Sequence, residues 1–223
     1  MYCVVPFLNK ILYHNVYKHI TTSYYTAEEQ AMTNIVILGG NGYIGRTIIQ
    51  EWLKIDDDTL FFVYSRSGEN KLQHPNIKNQ AVDLQNYEQL KSYLPGRIDY
   101  VVDLVGRPDK NIKALTDINE IPAKIMLKIA GDYNVKGMGF IQGSLGPKSF
   151  VNIKKDIAKM LTESGVHTAI VNPTIVYGND RSDSLAKLVP IFKFLGMFSD
   201  KFRPTHVNSV AKELINKLTH STK

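Results

Sequence analysis

The sequence predicts an α/β fold in which a parallel β-sheet carries helices on both of its faces. Three observations lead to this prediction: short apolar runs, helical segments between them, and a glycine-rich turn after the first run. The first run, Ile35-Val36-Ile37-Leu38, is apolar throughout, which is typical of a strand buried on both faces. Strands separated by helices of about ten or more residues form a parallel, doubly wound sheet.

The turn after this strand carries glycine at every third position, at Gly39, Gly42 and Gly45. Gly39 permits the sharp turn, Gly42 leaves the backbone open to a pyrophosphate, and Gly45 lets the next helix pack closely. The first N–H groups of that helix favour an anion because they lack partners within it. The spacing is not the common Gly-x-Gly-x-x-Gly, but its place between strand and helix predicts a dinucleotide site. The predicted contacts are Gly39, Gly40, Asn41, Gly42, Tyr43, Ile44 and Gly45.

The remaining elements follow from the same patterns. Ile44, Ile48 and Trp52 form one apolar helical face directly after the glycine turn. Further strands are predicted at 60–64, near 80–82, and at 100–105, 139–142 and 168–171, with helices through 119–130 and over about 150–163.

Composition excludes several classes of function. The chain has 223 residues, a net charge of +6 and one cysteine, Cys3. Its lysines are scattered, so we expect no nucleic-acid partner. The sequence contains no run of about 18 apolar residues, so no membrane span is predicted. A lone cysteine excludes an internal disulfide and suits the reducing cytoplasm. We expect a small-molecule substrate and no metal; the oligomeric state is not predicted.

Residues Met1–Ala31 differ from the rest of the chain. They hold five of the twelve tyrosines and show no clean hydrophobic period. They lack the basic start of a signal peptide and the arginines of a transit peptide. We interpret them as an extension that is either disordered or encoded upstream of a true start at Met32. Residues 32–223 are then the nucleotide-binding domain.

The end of the second strand predicts which nucleotide binds. An acid there selects NAD by binding the ribose 2′-hydroxyl, whereas an arginine accommodates the 2′-phosphate of NADP. The chain offers Ser65, Arg66 and Ser67 and has no acid before Glu69. NADP(H) is therefore favoured, with NAD(H) as the alternative. Asp83 and Leu84, at the next strand end, are expected near the adenine.

From Met32 to about Leu218 the chain resembles the atypical and extended short-chain dehydrogenase/reductase superfamily, with NmrA-like and complex I accessory-subunit members as the closest in type. The resemblance rests on residues 39–45, on 101–107, on Asn172-Pro173-Thr174-Ile175-Val176-Tyr177-Gly178 and on 203–211. It implies a Rossmann fold whose cofactor also contacts Leu104, Val105, Gly106, Lys154 and Pro173. Asn172 and Ser209 depart from the superfamily's pattern, which has arginine and an acid at those positions.

Catalytic members of the superfamily carry a Ser/Tyr/Lys set with a supporting asparagine. The resemblance implies that Ser144 is the serine, Asn119 the asparagine and Lys154 the lysine. The position four residues before Lys154 is Phe150, so the tyrosine is missing. Phenylalanine has no proton to give, and a positioned acid or base is typically worth about 10²–10⁴ in rate. Neither Tyr133 nor Tyr177 stands four residues before a lysine on a helix.

In this superfamily the substrate cap follows the last strands, here at about 179–206. Residues 185–198 are rich in aromatic and aliphatic side chains, which suits either an apolar ligand or a helix that closes the core. We expect an NADPH-dependent oxidoreductase whose acceptor, such as a quinone or flavin, needs no tyrosine acid. One alternative is a non-catalytic NADP(H) sensor or assembly protein, and a second is a nucleotide-sugar epimerase or dehydratase.

Overall fold

The structure is a computed structural model that describes residues 32–179, 189–195, 197 and 203–220. The proposed extension Met1–Ala31 lies outside the described residues, as does much of the proposed cap at about 179–206. The strands are β1 Asn34–Leu38, β2 Leu60–Ser65, β3 Ile77–Ala81, β4 Tyr100–Asp103, β5 Gly137–Ile141, β6 Thr168–Val171, β7 Val176–Tyr177 and β8 Thr205–His206. The helices are α1 Tyr43–Leu53, α2 Tyr87–Lys91, α3 Ile112–Tyr133, α4 Lys148–Glu163, α5 Val189–Leu195 and α6 Val207–Thr219.

Six strands form one parallel sheet in the order β3-β2-β1-β4-β5-β6. The predicted doubly wound Rossmann fold is therefore confirmed, because this is the strand order of a dinucleotide-binding sheet. The chain reverses direction across the sheet between β1 and β4, so a crevice opens above the carboxyl ends of those two strands. A separate parallel pair, β7 and β8, joins Val176 to Thr205 and Tyr177 to His206.

The position of β1 within the sheet explains why its sequence is apolar without interruption. Val36 and Leu38 belong to the core on one face of the sheet, whereas Ile35 and Ile37 belong to the core on the other. All four are fully buried, as the alternation of side chains along a strand requires. Helices α3 and α4 cover the first face, and α1 and α6 cover the second.

Two strand boundaries differ from the sequence prediction for local reasons. β4 ends at Asp103, two residues before the predicted end, because the Asp103 carboxylate accepts the backbone N–H of Val105 at 2.9 Å and the chain turns away. β3 ends at Ala81, and the Val82 N–H then bonds to the Ser65 carbonyl as the chain leaves the sheet. Both changes lengthen the loops that border the crevice.

Helix α3 is the longest described helix, with 22 residues. Asn111 caps its start by accepting the N–H of Ala114, and Asn134, at φ +49°, ends it. None of the helices in the described ranges is both long and apolar enough to cross a membrane.

Candidate functional site

A cleft runs along the carboxyl edge of the sheet and consists of two cavities of about 480 Å³ each. Both cavities are bordered by Gly39 and Gly42 from the glycine turn and by Val105, Gly106 and Arg107 after β4. Ligands of open α/β sheets bind at such a place, where the strand order reverses. The two cavities are thus two halves of one elongated site.

The first cavity collects the residues predicted to bind the adenosine half of a nucleotide. Its walls come from the ends of β1, β2 and β3 and from one side of α3. The lining residues are Gly39, Asn41, Gly42, Ser65, Arg66, Asp83, Leu84, Gln85, Val105, Gly106, Arg107, Asp117, Ile118, Ile121 and Pro122. Ser67 and Gly40 do not line it.

The glycine turn fits a phosphate. Helix α1 begins after Gly42 without a side-chain cap, and its first turn has no acid, so its N–H groups remain open to an anion. Gly39 has a φ of +79°, and a Cβ on Gly45 would lie only 2.5 Å from the Gly40 carbonyl oxygen. Gly45 therefore closes the turn onto itself rather than onto the sheet, which corrects the role expected from sequence.

Arg66 is the exposed cation at the open end of this cavity. It forms no ion pair or hydrogen bond with the part of the chain that the structure describes. The neighbouring serines serve the loop, since Ser65 Oγ accepts the N–H of Gly68 at 3.1 Å and Ser67 Oγ that of Glu69 at 3.2 Å. Asp83 lines the same cavity, so an acid as well as an arginine faces the place expected for the adenosine.

The second cavity collects most of the residues predicted to lie near the nicotinamide. Phe150 and Lys154 reach it from successive turns of α4, and Pro173 borders it from the loop after β6. The lining residues are Gly39, Gly42, Tyr43, Ile44, Gly45, Leu104, Val105, Gly106, Arg107, Pro108, Ile141, Gln142, Gly143, Phe150, Lys154, Pro173, Thr174, Ile175 and Val176. The wall is mainly apolar.

Lys154 lines this cavity, and the buried carboxyl group of Asp103 acts on its charge without forming an ion pair with it. Lys154 is 5% exposed and Asp103 is fully buried. Burial lowers the pKa of Lys154 to about 8, and the negative charge of Asp103 opposes that change. Burial raises the pKa of Asp103 to about 7, against the opposing effects of Lys154 and of the Val105 N–H. Both groups therefore titrate near neutral pH.

Asn119 stands behind Gly106 and is fully buried. Its amide nitrogen donates to the Leu115 carbonyl at 2.7 Å and to the Arg107 carbonyl at 3.0 Å. Its Oδ1 has no hydrogen-bond partner. That oxygen would lie 2.5 Å from a Cβ on Gly106, so only glycine fits there.

Ser144 does not line either cavity. Its hydroxyl donates to the Pro173 carbonyl at 3.1 Å, and its N–H donates to the same oxygen at 2.9 Å. These two bonds tie the loop after β5 to the loop after β6. A contact between Ser144 and a substrate stays a prediction, as do the catalytic roles of Lys154 and Asn119.

The comparison with protein families decides the affiliation of this domain. Residues 35–144, which run from β1 to the loop after β5, match the family model "NAD dependent epimerase/dehydratase family". The match covers just under half of the chain, and over it the Rossmann domain is similar to that family. The resemblance to the extended short-chain dehydrogenase/reductase superfamily is thereby confirmed. The narrower likeness to NmrA-like or complex I accessory types stays a prediction. No curated protein sequence matches the chain significantly.

Solved structures share the fold at low sequence identity. The Bordetella bronchiseptica enzyme WbmH, in complex with NAD⁺, is 17% identical, with a TM-score of 0.65 over 84% of this chain and 72% of that one. A UDP-N-acetylglucosamine 4-epimerase from Methanobrevibacter ruminantium, in complex with UDP-N-acetylmuramic acid, is 16% identical, with 0.65 over 86% and 74%. A Rossmann-fold NAD(P)-binding family protein from Shigella flexneri is 19% identical, with 0.61 over 86% and 89%.

Several site residues were not predicted from the sequence. Asp103 carried a usable signal, since it is the one acid within the apolar run of β4, and a buried carboxylate needs a partner. Ile118, Ile121 and Pro122 line the first cavity from a middle turn of α3. Only the tertiary structure places them at the cleft.

Proposed function

We propose that the chain binds a nicotinamide dinucleotide along the cleft and acts as an NAD(P)H-dependent oxidoreductase. The observation that supports this most is the meeting of the two cavities at the glycine turn. An extended dinucleotide laid across that turn has room for its adenosine half beside Arg66 and for its nicotinamide half beside Phe150. The pyrophosphate then faces the open N-terminus of α1.

We further propose that the nucleotide is NADP(H) rather than NAD(H). Arg66 supports this because it is a planar cation without a partner among the described residues, at the end of β2 where a 2′-phosphate is expected. Glu69, the next acid in the sequence, does not line the cavity. Asp83 does, so NAD(H) is retained as the competing ligand in the tests.

The bound nicotinamide supplies or accepts a hydride, and the chain's residues orient the partner and handle the proton. Phe150, Ile141, Ile175 and Pro173 offer an apolar surface, which favours a flat, apolar acceptor such as a quinone or a flavin. Such an acceptor does not require a tyrosine acid and so tolerates phenylalanine at position 150.

A second candidate is an epimerase or dehydratase that acts on a nucleotide sugar. The family match supports it, and such a reaction also begins with hydride removal from an alcohol. The absence of a tyrosine at position 150 counts against it, since that tyrosine is the base that the superfamily's pattern supplies for the alcohol proton. The non-catalytic sensor predicted as an alternative would bind nucleotide without any turnover.

The test measures binding first and turnover second. Calorimetry with NADPH, NADP⁺, NADH and NAD⁺ should give tight binding, with NADPH the tightest. NADPH oxidation is then followed with a panel of quinones, flavins and carbonyl compounds, and epimerisation with a panel of UDP-sugars. Steady turnover with the first panel is expected. Turnover with UDP-sugars alone would establish the second candidate, and tight binding without any turnover would establish the sensor.

A further inference from the structure

Lys154 and Asp103 are both buried, where a charge costs free energy unless an opposite charge compensates it. A buried ammonium and a buried carboxylate both lose their hydration, and removal of either leaves the other uncompensated. Lys154 comes from α4 and Asp103 from the end of β4, so the pair spans two layers of the fold. Regular secondary structure, a core strand and a long helix, therefore positions both side chains.

The ammonium of Lys154 faces an unusual set of partners. Its Nζ lies 3.9 Å from the centre of the Phe140 ring, and it makes no hydrogen bond or ion pair with the described part of the chain. It borders the second cavity, where Phe150 occupies the preceding helical turn. The ammonium therefore contacts the Phe140 ring and also borders the cleft.

Two buried acceptors without hydrogen-bond partners belong to Asp103, whose charge acts on Lys154, and to Asn119, which stands behind Gly106. Asp103 Oδ2 and Asn119 Oδ1 are both unpaired, although the other polar atom of each side chain is bonded. A Cβ on Gly106 would lie 2.5 Å from Asn119 Oδ1 and 3.4 Å from Lys154 Nζ. The amide oxygen and the ammonium therefore both approach Gly106, where the absence of a Cβ leaves room for them.

The charges around Lys154 are few. Phe140 from β5 and Asn119 from α3 do not titrate, and Lys155 and Asp156 on α4 itself are exposed and point away. Within the described residues, Asp103 is the one group whose charge acts on the pKa of Lys154, which burial brings to about 8. A lysine with such a pKa can both give and take a proton at neutral pH.

We propose that Lys154 is the proton donor and acceptor at the substrate oxygen, in the place that the missing tyrosine leaves, and that Asp103 is the positioning residue that keeps it charged. The inference rests on the proposed function. In the reduction of a carbonyl by a reduced nicotinamide, the carbonyl carbon gains the hydride and the C=O π pair moves to oxygen. That oxygen takes a proton from the Lys154 ammonium, whose N–H bond breaks. The neutral amine regains a proton from solvent, and alcohol oxidation reverses each transfer.

The first experiment needs neither cofactor nor activity. Protein labelled with ¹³C at lysine Cε is titrated by NMR in wild type, Lys154→Met and the matched control Lys155→Met, an exposed neighbour on the same helix. One resonance should titrate near pH 8, disappear only in Lys154→Met, and move to lower pH in Asp103→Asn. A resonance of Lys154 that titrates like the other lysines, or that Asp103→Asn leaves in place, would overturn the proposal without any need for a folded Lys154 variant.

The second experiment separates proton transfer from nucleotide binding, with a carbonyl substrate that wild type turns over. At saturating NADPH, Lys154→Met should lower kcat about 10²- to 10⁴-fold while Lys155→Met leaves it unchanged. Asp103→Asn should move the alkaline limb of the kcat profile to lower pH, which a purely structural role would not do. Full kcat in Lys154→Met would refute the inference alone. Absence of nucleotide binding by wild type would refute the proposed function. Turnover of flavins or quinones without any carbonyl turnover would refute the inference alone, and binding without turnover of any acceptor would refute both.

Discussion

At the scale of single residues, Arg66 carries the discrimination between the two nucleotides. It is exposed, lines the first cavity and has no ion pair among the described residues. A guanidinium in that state gains two charge-assisted hydrogen bonds when a phosphate arrives and loses none. The same residue gains little from a ribose hydroxyl.

We therefore expect Arg66→Glu to weaken NADPH binding about 10- to 100-fold while NADH binding changes much less. The control is Lys71→Glu, which makes the same charge change on the same loop but at a side chain that lines neither cavity. Calorimetry with both nucleotides measures the effect. Equal losses for NADPH and NADH would show that the chain does not use Arg66 to select its cofactor.

Phe150 is one helical turn from Lys154 and borders the same cavity. Phe150→Tyr adds a hydroxyl at an open wall, so we expect a folded protein in which the phenolate and the Lys154 ammonium stabilise each other. The phenol then titrates below the ordinary value of about 10, and the pKa of Lys154 rises above its wild-type value of about 8. An ultraviolet titration against wild type isolates the extra phenol. The double variant Phe150→Tyr/Lys154→Met should restore the ordinary pKa, and a normal or raised pKa in the single variant would mean that the hydroxyl points into the core.

Some residues of the site can be predicted from the local sequence, whereas others require the tertiary structure. Gly39, Gly42 and Arg66 stand next to strand ends, where a local pattern predicts their position in the cleft. Ile118 and Pro122 needed the tertiary structure, because their neighbours in space come from other elements. Ser144 shows the opposite case, since its place in a motif predicted an open hydroxyl whereas the structure bonds that hydroxyl to Pro173.

At the scale of elements, uninterrupted apolar strands were the strongest signal in the sequence. β1 and β6 have boundaries at or near those predicted: β1 buries side chains on both faces, and β6 buries Ala169 and Val171 on one face. The pair β7 and β8 was not predicted, since two-residue strands have no period. Helix α6 was not predicted from the sequence, although its apolar residues Val210, Leu214 and Leu218 recur at helical spacing.

Two glycines on connected elements should respond in opposite ways to alanine. Gly106, in the loop from β4 to α3, has a φ of +148° and Asn119 Oδ1 in the place of its Cβ, so Gly106→Ala should lower the free energy of unfolding by about 1–3 kcal/mol. Gly131, exposed within α3, has nothing near its Cβ position, so Gly131→Ala should raise it by about 0.5–1 kcal/mol. Urea denaturation of both variants measures the difference. Destabilisation by Gly131→Ala would contradict the helical geometry given to α3.

At the scale of the whole molecule, one chain of elements connects the two halves of the cleft. β4 lies at the centre of the sheet between β1 and β5, and the loop after it borders both cavities. Asp103, at the end of β4, and Lys154, on α4, act on each other's charge beside the second cavity. The stability of the fold and the protonation of the site are therefore linked through the same two side chains.

This linkage has a defined sign. An unfolded aspartate loses its proton near pH 3.8, whereas Asp103 in the folded protein keeps its proton until about pH 7. Between those values the folded state binds more protons than the unfolded state, so the contribution of Asp103 to the free energy of unfolding falls as the pH rises and is constant above about pH 7. Lys154 acts in the opposite sense, since its folded pKa of about 8 lies below its ordinary 10.5, and its contribution rises between those values.

We therefore expect a minimum in this pair's contribution near pH 7 to 8, and Asp103→Asn should abolish its acidic side. Guanidinium denaturation at about pH 5 and about pH 7.5 gives the change for wild type and for the variant. The other carboxylates contribute equally to both proteins, so the difference between the two changes isolates Asp103. Asp156→Asn, at an exposed acid on α4, serves as the control and should leave the wild-type change intact. If Asp103→Asn retains that change as well, then the Asp103 carboxylate does not hold a proton at acidic pH, and its charge is stabilised by more than Lys154 and the Val105 N–H.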